Sequence, residues 1–166
     1  EAEQARADMQ GLLLHGYKEM NTAGFLFLEI QDARRCGQWL RELLPELMTA
    51  ATRPREEVHQ WRSCLNLAIS WEGLKALGLE PEALETFPFE FRKGMSQRAR
   101  VLGDTGSSAP EHWEFGGTRE GHSQRELHLL LMIYGRDEET LDALLSRHRE
   151  RFGAAGLREL YWQRCC

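Results

Sequence analysis

The sequence predicts an α+β domain in which four strands and two long helices follow one another as strand–helix–strand–strand–helix–strand. Three observations carry that expectation. Four short segments are rich in branched, leucine and aromatic residues and are bounded by turn-forming or charged residues, as strands are. Two stretches, after the first and the third of these, repeat apolar residues every three or four positions, which places them on one helical stripe. Finally, residues from about 71 to 125 separate the second strand from the third, where a tight turn would suffice, and so read as an insertion.

Taken in order, Met9–Tyr17 (MQGLLLHGY) is a short apolar run flanked by glycines, read as a strand or an extended lead-in. Phe25–Ile30 (FLFLEI) is the first clear strand, preceded by the turn-forming Asn21, Thr22 and Gly24. Asp32 then caps a helix predicted to run to about Ala50, with Cys36, Trp39, Leu40, Leu43, Leu44, Leu47 and Met48 on its inner stripe. Pro45 lies inside that pattern and can kink it or end it early. Thr52–Arg62, charged and containing Pro54, reads as a loop.

Ser63–Ser70 (SCLNLAIS) alternates, with Leu65, Leu67 and Ile69 on one face and Cys64, Asn66, Ala68 and Ser70 on the other. Trp71–Leu79 is a short helix ended by Gly78. Leu84, Phe87, Phe91, Met95, Ala99 and Leu102 then recur at about four residues, a helical stripe interrupted near Pro88, and Gly103–Gly121 reads as loop. Leu127–Tyr134 (LHLLLMIY) is the most apolar strand and therefore a central one. Asp137–Phe152 is an amphipathic helix with Leu141, Leu144, Leu145, His148 and Phe152 inward, and Leu157–Gln163 (LRELYWQ) alternates as a last, edge strand. Without the insertion this order is β-α-β-β-α-β, the ferredoxin-like unit: an antiparallel sheet with both helices on one face. Residues 1–166 read as one such domain.

Two helices cover one side of a sheet, so the other side needs a partner. If Leu65, Leu67 and Ile69 face the helices, the opposite face carries Cys64, Asn66 and Ala68. In one register it also carries His128, Leu130, Met132 and Tyr134, with Phe25 and Phe27 or Leu26 and Leu28 beside them. Each large apolar side chain withdrawn from water is worth roughly 1.5–3 kcal/mol, so several left wet are a substantial loss. The expected cover is the chain's own insertion, a second sheet in the same polypeptide, or another subunit.

Composition narrows the function. With 21 basic residues scattered among 26 acidic ones and a net charge of −5, no basic stripe is present to follow a phosphate backbone, which excludes nucleic-acid binding. No apolar run reaches the ~20 residues of a membrane span. The opening EAEQARAD is not a secretory leader, which leads to the expectation of a cytoplasmic protein. Cys36, Cys64, Cys165 and Cys166 form no Cys-x-x-Cys pair and the six histidines are dispersed, so zinc is not expected. Reduced thiols, two of them in the cores of elements, are the plain reading; the adjacent Cys165 and Cys166 could alternatively form a strained disulfide or a reactive pair.

Candidate chemistry is sparse. Phosphate-loop, nucleophile-elbow and His-Glu-x-x-His patterns are all missing. Leu102–Gly106 (LGDTG) reads as a helix C-cap with Gly103 at positive φ, or as a ligand-touching turn. His112 beside Trp113 is a solvated loop histidine or one that reaches a ligand, and His128 is a core or interface histidine unless a pocket opens beside it. Arg98 and Arg100 are placed toward water, and His15, His59, His122 and His148 carry no spacing signal. No nucleophile–base pair or carboxylate pair emerges.

A set of segments in fixed order carries more. MQGLLLHGY, GFLFLEI, SCLNLAISWEGLKALGL, FPFEFRKGMSQRARVLGDTG, SAPEHW and ELHLLLMIYG resemble the amino-terminal half of dye-decolourising-type (DyP-type) haem peroxidases, from about Asp8 to Gln163. The most specific part is Asn66–Gly106, where Leu74, Gly78, Phe87, Phe91, Gly94, Met95, Arg98 and the Leu102–Gly106 turn all fit. The resemblance implies two ferredoxin-like domains in one polypeptide with facing sheets, a haem b cofactor, and peroxide-driven oxidation of dyes and other bulky donors. It also implies an Asp in a Gly-x-x-Asp-Gly motif, a distal Arg and a proximal His. That motif does not occur here, and Gly103-Asp104-Thr105-Gly106 has the wrong spacing to replace it. In the family it follows the last strand of the first domain, so no catalytic, cofactor-binding or metal-ligating residue is carried over to this chain. The expectation is the amino-terminal domain of a peroxidase, cut from a longer polypeptide and inactive alone. The alternative is a non-catalytic ferredoxin-like module that dimerises through its sheet and binds a small apolar ligand or acts as a scaffold.

Overall fold

The computed structural model describes residues 2–14, 16–51, 61–113, 116–117 and 127–165. His15, His59, His122, Cys166 and most of the loop predicted from Thr52 lie outside the described residues. The four predicted strands form one antiparallel sheet: β1 (Thr22–Ile30), β2 (Ser63–Ile69), β3 (Leu129–Gly135) and β4 (Leu157–Cys165) stand in the order β2-β3-β1-β4. This is the ferredoxin-like arrangement, with the two most apolar strands in the middle and β4 on an edge, as the sequence predicts.

The register follows from hydrophobic alternation. Leu131 lies between Leu26 of β1 and Leu67 of β2, and Leu129 lies between Leu28 and Ile69. These residues share the helix-facing side with Leu65 and Ile133, and a slip of one position would turn the whole set to the other face. On β4, Leu157 opposes Ile30, and an irregularity opposite Phe27/Leu28 then resets the pairing so that Tyr161 opposes Phe27.

Two helices seal this side. The first, α2 (Ala33–Leu43), starts at Asp32, whose carboxylate accepts the Arg35 N–H at 2.9 Å, and buries Cys36, Trp39 and Leu43. It is shorter than predicted: Pro45 turns the chain into a single 3-10 turn, Leu44–Glu46, and leaves Leu44 exposed. The second sealing helix, at Glu138–Phe152, is capped by Asp137, which accepts the Thr140 N–H at 2.8 Å, and it buries Leu141, Leu145, His148 and Phe152. Trp39 and Phe152 meet edge to face, 6.4 Å between centroids, where the two helices adjoin.

Of the two readings of the amino-terminal segment, strand or extended lead-in, the strand does not form among the described residues. After α1 (Ala2–Ala7), Met9–Tyr17 contributes a 3-10 turn at Gly11–Leu13 and one bridge between Gln10 and Thr49, not a strand. The reason is what it must satisfy. The outer edge of β2 would present bare peptide groups, and Gln10 meets them with its side-chain amide: Leu67 N–H donates to Oε1 at 2.9 Å and Nε2 donates to the Leu67 carbonyl at 2.7 Å. Met48 N–H donates to the Leu65 carbonyl at 2.9 Å, completing the cover.

The insertion is a chain of short helices, α3 (Trp71–Ala76), α4 (Pro81–Glu85), α5 (Phe89–Lys93) and α6 (Ala99–Leu102); the Glu138–Phe152 helix is therefore α7. The predicted stripe is only partly buried. Leu84 and Ala99 are inside, whereas Met95 and Leu102 are exposed, because breaks at Pro88 and Gly94 prevent one continuous helical face. Trp71 instead gathers Phe87 and Phe91 at 6.3 and 6.4 Å. The insertion joins the sheet through Ser70 and Gly73: Ser70 N–H donates to the His128 carbonyl at 2.9 Å, and Ser70 Oγ caps α3 by accepting the Gly73 N–H at 3.0 Å.

At Gly73 a Cβ would lie 2.3 Å from the His128 carbonyl oxygen. Gly73→Ala is therefore expected to lower stability by about 1–3 kcal/mol, through overpacking against backbone that cannot yield. A urea titration of the variant, with an unchanged slope and a lower midpoint, checks this.

Candidate functional site

The side of the sheet opposite the helices is the site candidate. Alternation sends Phe25 and Phe27 of β1 and Leu130, Met132 and Tyr134 of β3 to that side, and the β4 irregularity adds Tyr161. Rings pair across strands: Phe27 and Tyr161 lie 5.6 Å apart, and Phe25 and Tyr134 lie 5.9 Å apart, both edge to face. All five β1 and β3 residues are only half-buried, and Tyr161 is 37% exposed.

One end of this face is closed by the chain itself. Tyr17 packs edge to face on Tyr134, 4.9 Å between centroids, and its hydroxyl donates to Asn66 Oδ1 at 2.7 Å. Asn66, fully buried, uses its amide to donate to Gln10 Oε1 at 3.0 Å. A polar residue of β2 that would otherwise be a desolvated liability is thus satisfied by the amino-terminal segment. Cys64, Tyr134, Ala23 and Cys165 form one row across the four strands here. Burial, and then the neighbouring Cys165 and Cys64, push the Tyr134 phenol above its ordinary value, so it stays protonated at neutral pH.

The other sequence candidates are scattered. Gly103 does end α6 in the left-handed region, φ 84°, with Asp104 N–H donating to the Ala99 carbonyl at 2.8 Å, which is the C-cap reading of LGDTG. His112 is exposed in a 3-10 turn, and Trp113 donates from Nε1 to the Ser108 carbonyl at 2.7 Å. Arg100 is exposed and Arg98 half-buried. Cys36 and Cys64 are buried, as expected, and burial pushes the Cys36 thiol up to about 11, which makes it inert.

An axial haem ligand would need an imidazole nitrogen aimed into open space. His128 is buried, and its Nδ1 accepts the Ile30 N–H at 2.9 Å, tying β3 to β1. His148 is fully buried between α7 and the core. His112 borders neither of the two cavities described, which are lined from Trp71–Gln97 and from Arg62–Leu144. The described residues therefore do not fit a haem-ligating set, and no cluster of three or more His, Cys, Asp or Glu among them could hold a metal ion.

What the fold offers is a half-covered apolar sheet face. The model of the DyP dimeric α+β barrel domain matches residues 8–161. The chain belongs to this family. It is thus an amino-terminal domain of the DyP type. Peroxidase 2 of Mycetinis scorodonius is 34% identical over 113 residues, covering 67% of this chain and 21% of that protein. Among solved structures, a fungal DyP-type peroxidase from Auricularia auricula-judae superposes with a TM-score of 0.75 at 21% identity, over 96% of this chain and 32% of that one. An ancestral D-type dye-decolorizing peroxidase gives 0.71 at 24% identity, over 96% and 33%. The DyP-type domain described here therefore spans about a third of the length of those solved chains, or less of the curated relative.

Sequence reasoning missed the roles of Gln10 and Tyr17, since neither belongs to a periodic pattern and both act across a long chain separation. Periodicity places His148 inward but carries no sign of the consequence. Neither ring nitrogen of His148 has a hydrogen-bond partner among the described residues, and burial, with Arg147 next, lowers its pKa to about 4. Glu46 opposes that shift and Arg151 adds to it. The folded DyP-type domain thus binds this proton less readily than the unfolded chain, whose histidine titrates near 6.5. Stability from this residue is complete above pH 6.5 and is lost as pH falls toward 4. His148→Leu is expected to remove a loss on the order of 2–3 kcal/mol over that window, read as the difference between wild-type and variant urea midpoints at pH 7 and pH 4.5.

Proposed function

We propose that this chain is the amino-terminal domain of a haem-dependent peroxidase that uses hydrogen peroxide to oxidise dyes or other bulky electron donors, with residues 1–166 as one of two ferredoxin-like domains. The observation that carries the reading is the half-covered sheet face of Phe25, Phe27, Leu130, Met132 and Tyr161 in a chain that belongs to the DyP barrel-domain family. A second sheet laid on this face would remove it from water, and sheets pack face to face at ~10 Å with interdigitating side chains. The polar end closed by Gln10, Tyr17 and Asn66 needs no further cover; the aromatic and aliphatic middle does.

In this reading the domain contributes shape and exclusion of water rather than reacting groups. Haem supplies the peroxide chemistry when bound, and its ligands belong outside the described residues. The inserted helices form a wall of the domain, with Gly103 closing the last of them. The segment alone is expected to be inactive.

Expression with and without the continuation of the reading frame tests the proposal. A haem absorption band and peroxide-dependent dye oxidation are expected only for the longer polypeptide. A haem band in residues 1–166 alone, or a stable dimer of a chain with no continuation, overturns it. Phe27→Glu adds a second readout. It should leave this segment folded by far-UV circular dichroism but destabilise the longer protein by roughly 1.5–3 kcal/mol or more, the loss of one large apolar contact plus a desolvated charge.

A further inference from the structure

The layer between α2 and α7 holds a titratable group that neither the sheet face nor the proposed function uses. His148 is turned inward from α7 and fully buried, and neither of its ring nitrogens is hydrogen-bonded among the described residues. Trp39 Nε1, on the α2 side, is also buried without an acceptor. The layer is therefore dry, and it accepts the imidazole only as a neutral group. A proton arriving on the ring needs water or a carboxylate oxygen within bonding distance, and the closed structure supplies none from the described residues.

Charges reach this layer from each element around it. Arg147 and Arg151 stand on α7 itself, and Glu46 faces them from the 3-10 turn Leu44–Glu46. Glu46 pairs with Arg147 and, at 3.5 Å, with Arg151, which Glu42 of α2 also holds at 2.7 Å. The other titratable group that α2 turns inward, Cys36, stays a neutral thiol. β4 contributes Glu159, held by Arg149 at 2.8 Å, and the fully buried leucines and isoleucine of β1 and β3 add no charge.

The turn is the lightly held member of this group. Its ion pairs join partly exposed side chains, which contribute little singly, and Pro45 prevents α2 from continuing its helical hydrogen bonds into it. From the turn, residues 44–51 run on as a strap across the end of the sheet. Met48 N–H donates to the Leu65 carbonyl at 2.9 Å, Gly11 N–H to the Met48 carbonyl at 2.8 Å, and Ala50 N–H to the Met9 carbonyl at 2.8 Å. The strap thus carries the amino-terminal segment, whose Gln10 finishes the β2 edge.

We propose that protonation of His148 releases this strap: the Leu44–Glu46 turn lifts to hydrate the charged ring, and residues 44–51 leave the β2 edge while the sheet and α7 stay folded. The sign follows from the two environments. In the lifted form the imidazole titrates near 6.5, whereas in the closed form burial, Arg147 and Arg151 hold it at about 4 against the pull of Glu46. Closure is favoured fully above pH 6.5, and lifting gains as pH falls from there toward 4. The product is a β2 edge with bare peptide groups, a surface that accepts a further strand. This device lies within one domain and does not rest on the peroxidase reading.

The test is amide hydrogen exchange of the full-length polypeptide between pH 7 and pH 5, corrected for intrinsic rates and read by mass spectrometry. Peptides covering residues 44–51 and 9–14 are expected to be at least tenfold less protected than β3 at each pH. Their protection should fall about 20-fold from pH 7 to pH 5, the shift that titration at about 4 when closed and 6.5 when lifted requires. His148→Leu should abolish that fall. Glu46→Gln, at an exposed position, should lower strap protection at pH 7 by roughly two- to fivefold and leave β3 unchanged, as loss of exposed ion pairs requires. Strap protection equal to that of β3, no fall between pH 7 and pH 5, or the same fall in His148→Leu would each overturn the proposal. If His148→Leu fails to fold, the wild-type profile and Glu46→Gln decide it, and strap protection unchanged in Glu46→Gln overturns it.

Discussion

A four-stranded sheet with both helices on one side has two faces and one cover, and most of this structure depends on that. The helix-facing side is dry: Leu26, Leu28, Leu129, Leu131 and Ile133 are fully buried under α2 and α7, and their alternation fixes the register of every strand. The same alternation sends an equal number of side chains the other way. In the middle of β1 and β3, between Ala23 and Glu29 at the β1 ends, those are phenylalanine, leucine, methionine and tyrosine, residues that no water-facing sheet would select in such density.

The chain's treatment of its two sheet edges and its second face is uneven, and the unevenness is informative. The β2 edge is finished by Gln10 and Met48 at hydrogen-bond distance, and Asn66 beneath it is satisfied by Tyr17 and Gln10. The polar groups of this edge are dealt with locally, because an unsatisfied buried amide costs on the order of 1–3 kcal/mol in any assembly. The apolar middle of the face is left half-open. Apolar surface tolerates partial exposure at a cost proportional to area, and it is the kind of surface a second sheet can cover without matching individual donors and acceptors.

The four strands, their order and their buried faces were legible in the sequence because each depends on local composition and a period of two. Helices α2 and α7 were legible because Asp32 and Asp137 announce their starts and a single stripe faces inward. What was not legible depends on long-range partners. Gln10 looks like any polar residue until β2 is placed beside it. Pro45 by itself does not distinguish a kinked helix from an ended one; here the chain turns back after it so that Met48 can pair with Leu65. In the insertion, a four-residue repeat survived as composition while Pro88 and Gly94 destroyed it as geometry, so Met95 and Leu102 are wet. The family, by contrast, was carried by an ordered set of segments, which identifies a chain without requiring that its chemistry be visible.

That separation between identity and chemistry bears on where function can reside. Among the described histidines, one is hydrogen-bonded between strands, one is desolvated in the helical core and one lies in an exposed turn that borders neither described cavity. Putting His128 or His148 into a ligand role would require dismantling what each already holds together. Burial of His148 without a hydrogen-bond partner is itself a packing decision, since a neutral imidazole there is tolerated and a charged one is not. Among the described residues, the open face gathers rings and aliphatic chains that are only half-buried. That surface is extended and non-directional, the character a second packed sheet can match without pairing individual donors and acceptors.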